Sequence, residues 1–133
     1  MESSYSIESD HNLVRLEIWG EVTVAGLTAA LLLLAADPRY RAGMNGVVDF
    51  REAHAQWDYT EIQRFRDFVV QRRSVERPTC RWAALARPGD LAAAGHVMIV
   101  ISEPMDPTLE MELFEDPVSA LRWINARKDA VSG

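Results

Sequence analysis

Hydrophobic and polar positions alternate near the start of the chain, and this pattern predicts a β-hairpin. Residues 14–19 show the period of two that is typical of a half-buried strand. The apolar positions are Val14, Leu16 and Ile18, and the positions between them are Arg15, Glu17 and Trp19. The preceding segment SYSIES can pair with this strand through a turn at residues 10–12, so the first two elements are predicted to be antiparallel strands.

Residues 23–36 predict a helix that is apolar around almost its whole circumference. Thr23 is the predicted N-cap, and the dipeptide Asp-Pro that follows the segment is predicted to end the helix. Apolar residues at helical spacing form a core stripe of Val24, Leu27, Leu31 and Leu34. Leu32 and Leu33 lie off that stripe, so this helix is predicted either to be deeply covered or to carry an interface.

The middle of the chain predicts two further strands separated by a helix. The continuous apolar run GVVDF is typical of a strand covered on both faces, and CRWAALA at residues 80–86 predicts another inner strand. Between them, residues 59–76 are predicted to form a helix, with Asp58 as N-cap and Glu61 completing a capping box. The predicted buried side of this helix consists of Ile62, Phe65, Phe68, Val69 and Val75.

The last part of the chain predicts a helix, an edge strand and a final helix. Asp90 is the predicted N-cap of a helix over residues 91–101. Residues 109–114 alternate apolar residues with glutamate, which predicts a strand with one wet face near an edge of the sheet. Asp116 is then predicted to cap a helix with Pro117 at its first position. The residues of this helix predicted to face inward are Val118, Leu121 and Ile124.

This order of elements predicts an α/β fold. The expected architecture is a mixed, mostly parallel five-stranded sheet with an N-terminal hairpin and helices that cross between parallel strands. No repeat or linker-like segment divides the chain, and 133 residues suit one domain with its own core. We therefore expect a single domain over residues 1–133, with its core over about residues 5–126.

Four segments resemble the SpoIIAA-like family, which belongs with the STAS domains and their Sec14/CRAL-TRIO-type relatives. These segments are DPRY (37–40), VVDFREA (47–53), WAALA (82–86) and FEDPVSALRWI (114–124). The resemblance implies a SpoIIAA/STAS-like fold and a bacterial protein that lacks a known catalytic apparatus.

The resemblance also raises the question of a phosphorylation switch. In the STAS antagonists of anti-sigma factors, a phosphorylatable serine follows the strand that resembles residues 47–50. The positions that follow here, residues 51–55, contain no serine. The usual switch is therefore not carried over to this chain, and Thr60 is the alternative acceptor that stays open.

Charge and composition narrow the classes of function. The net charge of −6 disfavours general nucleic-acid binding, although nine arginines against six acidic residues make residues 39–81 locally basic. The longest apolar stretch, residues 22–36, is shorter than the ~20 residues of a membrane-spanning helix. With a single cysteine, Cys80, predicted to be buried, and no signal-peptide pattern at the N-terminus, we expect a cytoplasmic protein.

Polar residues after the GVVDF strand form the first candidate site. The candidate residues, at the end of this strand and in the predicted loop after it, are Asp49, Arg51, Glu52, His54 and Asp58. Ligands of open α/β sheets bind beyond the carboxyl ends of the strands, where this segment is predicted to lie. Three carboxylates and an imidazole permit a metal site or acid–base chemistry, but their spacing matches no established ligand pattern. Because nucleophile and phosphate-loop motifs are also absent from the sequence, we predict no metal and no other cofactor.

Arginines around the second predicted helix form the second candidate site. Arg66, Arg72 and Arg73 are candidates for a basic surface that binds an acidic partner or a lipid headgroup. The interpretation that the sequence favours is a solvated helix face with ordinary ion pairs.

These observations support three hypotheses of function. The favoured one is a non-enzymatic, homodimeric protein-interaction module that uses the apolar first helix and the charged second helix. The second is a protein that binds a small apolar ligand or a lipid, which the Sec14-type resemblance suggests. Its candidate pocket residues are Trp19, Trp57, Phe65, Phe68 and Met98. The third is an enzyme that uses residues 49–58.

Overall fold

A mixed five-stranded sheet forms the centre of the computed structural model, which describes residues 1–73 and 77–126. The strands are β1 (Glu2–Glu8), β2 (Leu13–Glu21), β3 (Asn45–His54), β4 (Cys80–Leu85) and β5 (Leu109–Phe114). They lie side by side in the order β1-β2-β3-β4-β5. β1 pairs antiparallel with β2, and each later pair is parallel. The predicted fold class, the N-terminal hairpin and the position of β5 at an edge are confirmed.

Four helices in the described residues connect or follow these strands. They are α1 (Val24–Ala36), α2 (Tyr59–Arg72), α3 (Asp90–Ser102) and α4 (Pro117–Asn125), and a short 3-10 helix (Ser9–His11) turns the chain between β1 and β2. The predicted continuation of the second helix to residue 76, including Val75, lies outside the described residues. None of the helices described combines the length and the apolar composition that crossing a bilayer requires.

Local capping interactions start three of the four helices as predicted. In each of the three, a side-chain oxygen accepts a hydrogen bond from a backbone N–H of the first turn, at 2.8–3.0 Å. The caps are Thr23 for α1, Asp58 with Glu61 for α2, and Asp116 for α4. These interactions join residues three apart in the chain, which is why the sequence reveals them.

Two local predictions are wrong. Asp90 is the first residue of α3 and not its cap, because Gly89 occupies the capping position. Val118 does not face inward but is 63% exposed. Ala120 and Ile124 are the buried residues of α4, and Leu121 packs, partly buried, against the same core cluster. A rotation of about 100° per residue places Val118 on the side of the helix opposite Ala120.

The predicted loop after the third strand is largely strand. β3 continues to His54, so Arg51, Glu52 and His54 are strand residues, and only residues 55–58 lead into α2. Parallel pairing with β2 extends β3 this far, since Glu21 is aligned with His54 at the end of the ladder. The sequence pattern could not show this, because the pairing partner lies some thirty residues earlier.

Helices cover the two faces of the sheet unequally. On one face, β2 contributes Leu16 to a core cluster with residues of α1, α2 and α3, namely Leu27, Phe65 and Leu91. On the other face, α4 packs against the strands β3, β4 and β5. This second cluster consists of Ala120 and Ile124 of α4 with Leu13, Val47, Ala83 and Leu85 of the sheet.

A close approach between β3 and β4 requires glycine at position 46. Gly46 is paired with Trp82, and a Cβ atom on residue 46 would lie 2.4 Å from Trp82 Cε3. The Trp82 indole N–H donates a hydrogen bond to Met44 O at 3.1 Å, which holds the ring over β3. The missing side chain of Gly46 therefore makes room for an aromatic ring on the face covered by α1, α2 and α3.

Candidate functional site

An apolar cavity of about 470 Å³ lies between the sheet and the helices α1, α2 and α3. Strand residues form its floor, and helix residues that face the sheet form its walls. The floor includes Val48, Phe50, Trp82, Ala84, Met111 and Leu113. The walls include Leu27, Leu31, Phe65, Phe68, Leu91 and Met98. This volume falls within the range of about 300–1,000 Å³ that is usual for small-molecule sites.

The two tryptophans at the cavity present apolar surface, because their indole N–H groups are already bonded elsewhere. Trp57 Nε1 donates a hydrogen bond to Val22 O at 3.0 Å, as Trp82 does to a backbone carbonyl. Trp57 also packs edge-to-face on Phe65, with ring centroids 5.6 Å apart, and Phe65 stacks on Phe68. The interior of the cavity is thus lined by rings and aliphatic chains.

The mouth of the cavity lies where α1 and α2 end. Most of the exposed residues of the lining are found there, namely Leu32 and Ala35 on α1, Ala42 before β3, and Arg72 on α2. Arg72 is the last residue of α2, and its Cζ lies 5.8 Å from the ring centroid of Phe68. A guanidinium group is therefore placed beside the apolar lining at the entrance.

Arg73, the next residue, carries a buried guanidinium at the side of the cavity. Its side chain is 11% exposed, and that of Asp106 is 1% exposed. Arg73 Nε donates to Asp106 Oδ2 at 2.7 Å, Nη1 donates to Cys80 Sγ at 3.1 Å, and Nη2 donates to Pro78 O and Thr108 Oγ1 at 2.8 and 2.9 Å. α2 ends before Arg73, whose extended backbone follows the last helical residue. The prediction that Arg73 belongs to an exposed basic surface is therefore wrong.

Burial and hydrogen bonding act against each other on the pKa values of this cluster. Burial raises the pKa of Asp106, but hydrogen bonds from Thr108 and Arg73 outweigh it and hold the pKa below its ordinary value. Burial likewise raises the pKa of the Cys80 thiol, and the Arg73 guanidinium offsets this only in part. The cluster is thus an ion pair beside a protonated thiol, and Cys80 is buried as predicted.

The other two arginines of the predicted basic surface do not form one patch with Arg73. Arg66 forms an ion pair with its neighbour Asp67 at 2.9 Å. Arg72 lies at the mouth of the cavity. The structure therefore assigns three different surroundings to the three arginines.

The candidate residues of β3 form two separate ion pairs. Arg51 Nε and Nη2 donate hydrogen bonds to the two carboxylate oxygens of Asp49, at 3.0 and 2.8 Å, which holds the pKa of Asp49 below its ordinary value. Glu52 forms an exposed ion pair with Arg87 at 3.1 Å. The charges of these residues are balanced locally.

The remaining candidates, His54 and Asp58, lie apart from these pairs. His54 is exposed, and its backbone oxygen accepts a hydrogen bond from Val22 N at 2.8 Å. The Asp58 carboxylate is occupied by the capping box of α2. Across residues 1–73 and 77–126, no group of three or more His, Cys, Asp or Glu side chains is placed to hold a metal ion.

Similarity to known proteins is limited to the fold. No protein-family model and no curated protein matches the sequence. The structure is similar, with a TM-score of 0.55, to that of an uncharacterized protein from the DUF3478 family with a SpoIIAA-like fold from Shewanella loihica PV-4. The chain has a SpoIIAA-like fold. The similarity covers 92% of this chain and 93% of that chain at 16% sequence identity, so it is a statement about fold alone.

Within this SpoIIAA-like fold, most of the residues predicted for an apolar pocket do line the cavity. Four of them are Trp57, Phe65, Phe68 and Met98. Trp19 is the exception: it is not a lining residue, and its indole N–H donates to Glu2 Oε2 at 2.9 Å. The period-two pattern of β2 already grouped Trp19 with the polar positions, on the face opposite Ile18. Arg72, in contrast, had no sequence signal that connects it with the pocket.

Proposed function

We propose that this protein binds a small apolar molecule or a single lipid chain in the cavity between the sheet and the helices α1, α2 and α3. The observation that carries this proposal is the volume of the cavity, about 470 Å³, together with its aliphatic and aromatic lining. Water in such a cavity has few hydrogen-bonding partners. An apolar ligand, in contrast, is stabilised by about 25 cal/mol for each Å² of apolar surface removed from water.

Shape rather than hydrogen bonding is expected to select what enters the interior. The indole N–H groups of Trp57 and Trp82 are bonded to backbone carbonyls. Tyr40 lines the cavity as well, and burial raises the pKa of its hydroxyl, so the side chain is a neutral phenol. An interior with so few free polar groups favours aliphatic or aromatic ligands over polar ones.

Ala84→Phe is expected to weaken the binding of the neutral fluorophore N-phenyl-naphthylamine at least about tenfold, equivalent to ~1.4 kcal/mol. Ala84 lies in the floor of the cavity, aligned with Val48 on β3 and Leu113 on β5, which are also lining residues. A phenyl group at this position occupies space that the ligand needs. Fluorescence titration of wild type and variant measures the change.

Val100→Phe is the matched control, because Val100 is exposed on α3 and is not a lining residue of the cavity. This variant is expected to bind the fluorophore as the wild type does. Thermal unfolding shows whether Ala84→Phe stays folded, and a filled cavity should keep or raise its Tm. Equal affinities for wild type and folded Ala84→Phe would contradict the proposal, as would a wild-type protein that does not bind the fluorophore.

A second proposal is the homodimeric interaction module expected from the sequence, with another copy of this chain as the partner. It is supported by the exposed side chains of α1, where Leu33 is 68% exposed and Leu32 is 40% exposed. The residues from Val24 to Ala36 include no charged side chain, so a partner could cover this face without burying a charge. That the protein is not an enzyme stays a prediction.

Leu33→Glu is expected to weaken self-association at least about tenfold, since it would bury a carboxylate in the interface. Leu33 does not line the cavity, so binding of the fluorophore should not change. Val118→Glu is the control, because Val118 is similarly exposed but lies on α4. Sedimentation velocity over a range of concentrations measures the effect, and a wild-type protein that is monomeric throughout would disprove this second proposal.

A further inference from the structure

The charged residues around the cavity differ in how far their charges are already balanced. Among the described residues, three charged ones line it: Arg72, Arg73 and Glu112. The charge of Arg73 is balanced by its ion pair with Asp106. Glu112 is aligned with Ala83, a member of the core cluster under α4, so strand alternation places the Glu112 side chain on the far face of the sheet. Arg72 is the charge that remains on the side of the cavity.

Arg72 combines an apolar contact with hydrogen-bond donors that no described residue accepts. Its guanidinium lies over the ring of Phe68, a lining residue, with Cζ 5.8 Å from the ring centroid. In the part of the chain that the structure describes, no carboxylate forms an ion pair with it. The side chain is exposed to solvent at the mouth. A positive charge whose N–H donors form no hydrogen bond with the described residues thus stands where a ligand would enter.

We infer that the ligand is a single-chain amphiphile with an anionic headgroup, which Arg72 binds at the mouth while the chain occupies the cavity. This inference rests on the proposed function. A planar guanidinium donates two parallel hydrogen bonds to a carboxylate or phosphate group, and these are stronger than bonds between neutral groups. The headgroup stays in contact with water at the mouth, so the cost of dehydrating its charge is small.

The volume of the cavity argues for one chain rather than two. About 470 Å³ corresponds to the space of roughly 15 water molecules. One extended or folded alkyl chain fits such a volume, and its methylene groups contact the rings of Phe65, Phe68 and Trp57 that line the walls. Each buried methylene contributes about 0.8 kcal/mol, so the chain supplies most of the affinity and the headgroup sets the orientation.

Four probes with the same chain and different headgroups test this inference. They are dodecanoate, dodecyl phosphate, dodecanol and dodecyltrimethylammonium, each titrated below its critical micelle concentration at about pH 8, where the carboxyl group is ionised. Isothermal titration calorimetry should show that wild-type protein binds the two anions about three- to tenfold more tightly than dodecanol. The cation should bind most weakly, because Arg72 repels it. A larger preference for dodecanoate or for dodecyl phosphate distinguishes a carboxylate ligand from a phosphate monoester.

Arg72→Gln should remove the preference for anions, so that dodecanoate and dodecyl phosphate bind the variant no more tightly than dodecanol does. Arg64→Gln is the matched control, because Arg64 is an exposed arginine of the same helix that does not line the cavity. It should retain the preference of the wild type. Arg72→Lys should keep part of it, since lysine retains the charge and loses the planar pair of donors.

Two results would overturn the inference while the proposed function stands. One is equal affinity of the wild type for all four probes. The other is an anion preference that Arg72→Gln retains, which would mean that Arg72 serves only to balance the negative end of α2. A wild-type protein that binds none of the probes, dodecanol included, would overturn the proposed function as well.

Discussion

Replacing Asp106 with alanine is expected to lower the free energy of unfolding by about 3–5 kcal/mol. The substitution removes the carboxylate that balances Arg73, whose guanidinium is then left buried without a counter-charge. It also removes the acceptor for Thr108 N and Thr108 Oγ1 in the turn that precedes β5. Chemical denaturation of wild type and variant measures the difference.

Asp67→Ala is the matched control, because Asp67 also forms an ion pair with an arginine, Arg66, but is much more exposed. Asp67→Ala should lower the free energy of unfolding by no more than about 1 kcal/mol. Replacing both members of the buried pair, as in Arg73→Met with Asp106→Leu, should recover part of the lost stability, because no charge is then left unpaired. Similar losses for Asp106→Ala and Asp67→Ala would contradict the importance assigned to the buried pair.

The same ion pair predicts a pH dependence of stability. The pKa of Asp106 in the folded protein lies below its ordinary value of about 4, so the unfolded chain binds the proton more readily. Asp106 therefore stabilises the fold above about pH 4, and this contribution is lost as the pH falls through its lower pKa in the folded state. The stability difference between wild type and Asp106→Asn should shrink as the solution is acidified. A difference that grows on acidification would contradict this assignment.

Gly46→Ala is expected to destabilise the protein by about 1–3 kcal/mol, as overpacking of a close-packed core does. The new methyl group would lie 2.4 Å from Trp82 Cε3 and 2.5 Å from Cζ3. The ring cannot turn aside freely, because its N–H donates a hydrogen bond to Met44 O. Chemical denaturation measures the loss, and tryptophan fluorescence reports whether the ring has moved.

Gly95→Ala is the control for this prediction. The atoms nearest to a Cβ atom on Gly95 are the two methyl groups of the Leu113 side chain, at 3.1 Å, and alanine favours a helix over glycine by about 1 kcal/mol. Gly95→Ala should therefore leave the free energy of unfolding almost unchanged. In a Trp82→Leu background, Gly46→Ala should lower the free energy of unfolding much less, because the ring with which the new methyl group clashes is absent. An equal cost with and without Trp82 would show that the clash is not the cause.

The sequence predicts those parts of the fold that depend on neighbouring residues. The caps of α1, α2 and α4 join residues three positions apart, and the alternation in β2 separates Leu16 and Ile18 from the polar positions without knowledge of the partner strands. The boundaries that were wrong depend on distant pairing, as in β3, which extends to His54 through its alignment with Glu21. The pattern of neighbouring residues does not show which distant strand a segment will pair with.

The candidate sites were predicted less well, because burial and pairing of charged residues depend on contacts distant in sequence. Arg73 is buried by Asp106, which lies 33 residues further along the chain. Local interactions divide the proposed loop in addition: Asp49 and Arg51, two residues apart, form an ion pair with each other, and Asp58 caps a helix, so the loop is not one site. Phe65 and Phe68, two of the rings that line the cavity, were identifiable as apolar helix residues. The empty volume beside them depends on how the elements pack, and the spacing of apolar residues along the chain does not reveal it.

The immobility of Arg73 has a consequence for its neighbour. Four hydrogen bonds fix the Arg73 side chain to the starts of β4 and β5, so the backbone at the end of α2 is already ordered before any ligand arrives. Recruitment of an anion by Arg72 then requires ordering of that one side chain only, at an entropic cost of about 0.5–1.5 kcal/mol. The entrance is in this sense preorganised at Arg72.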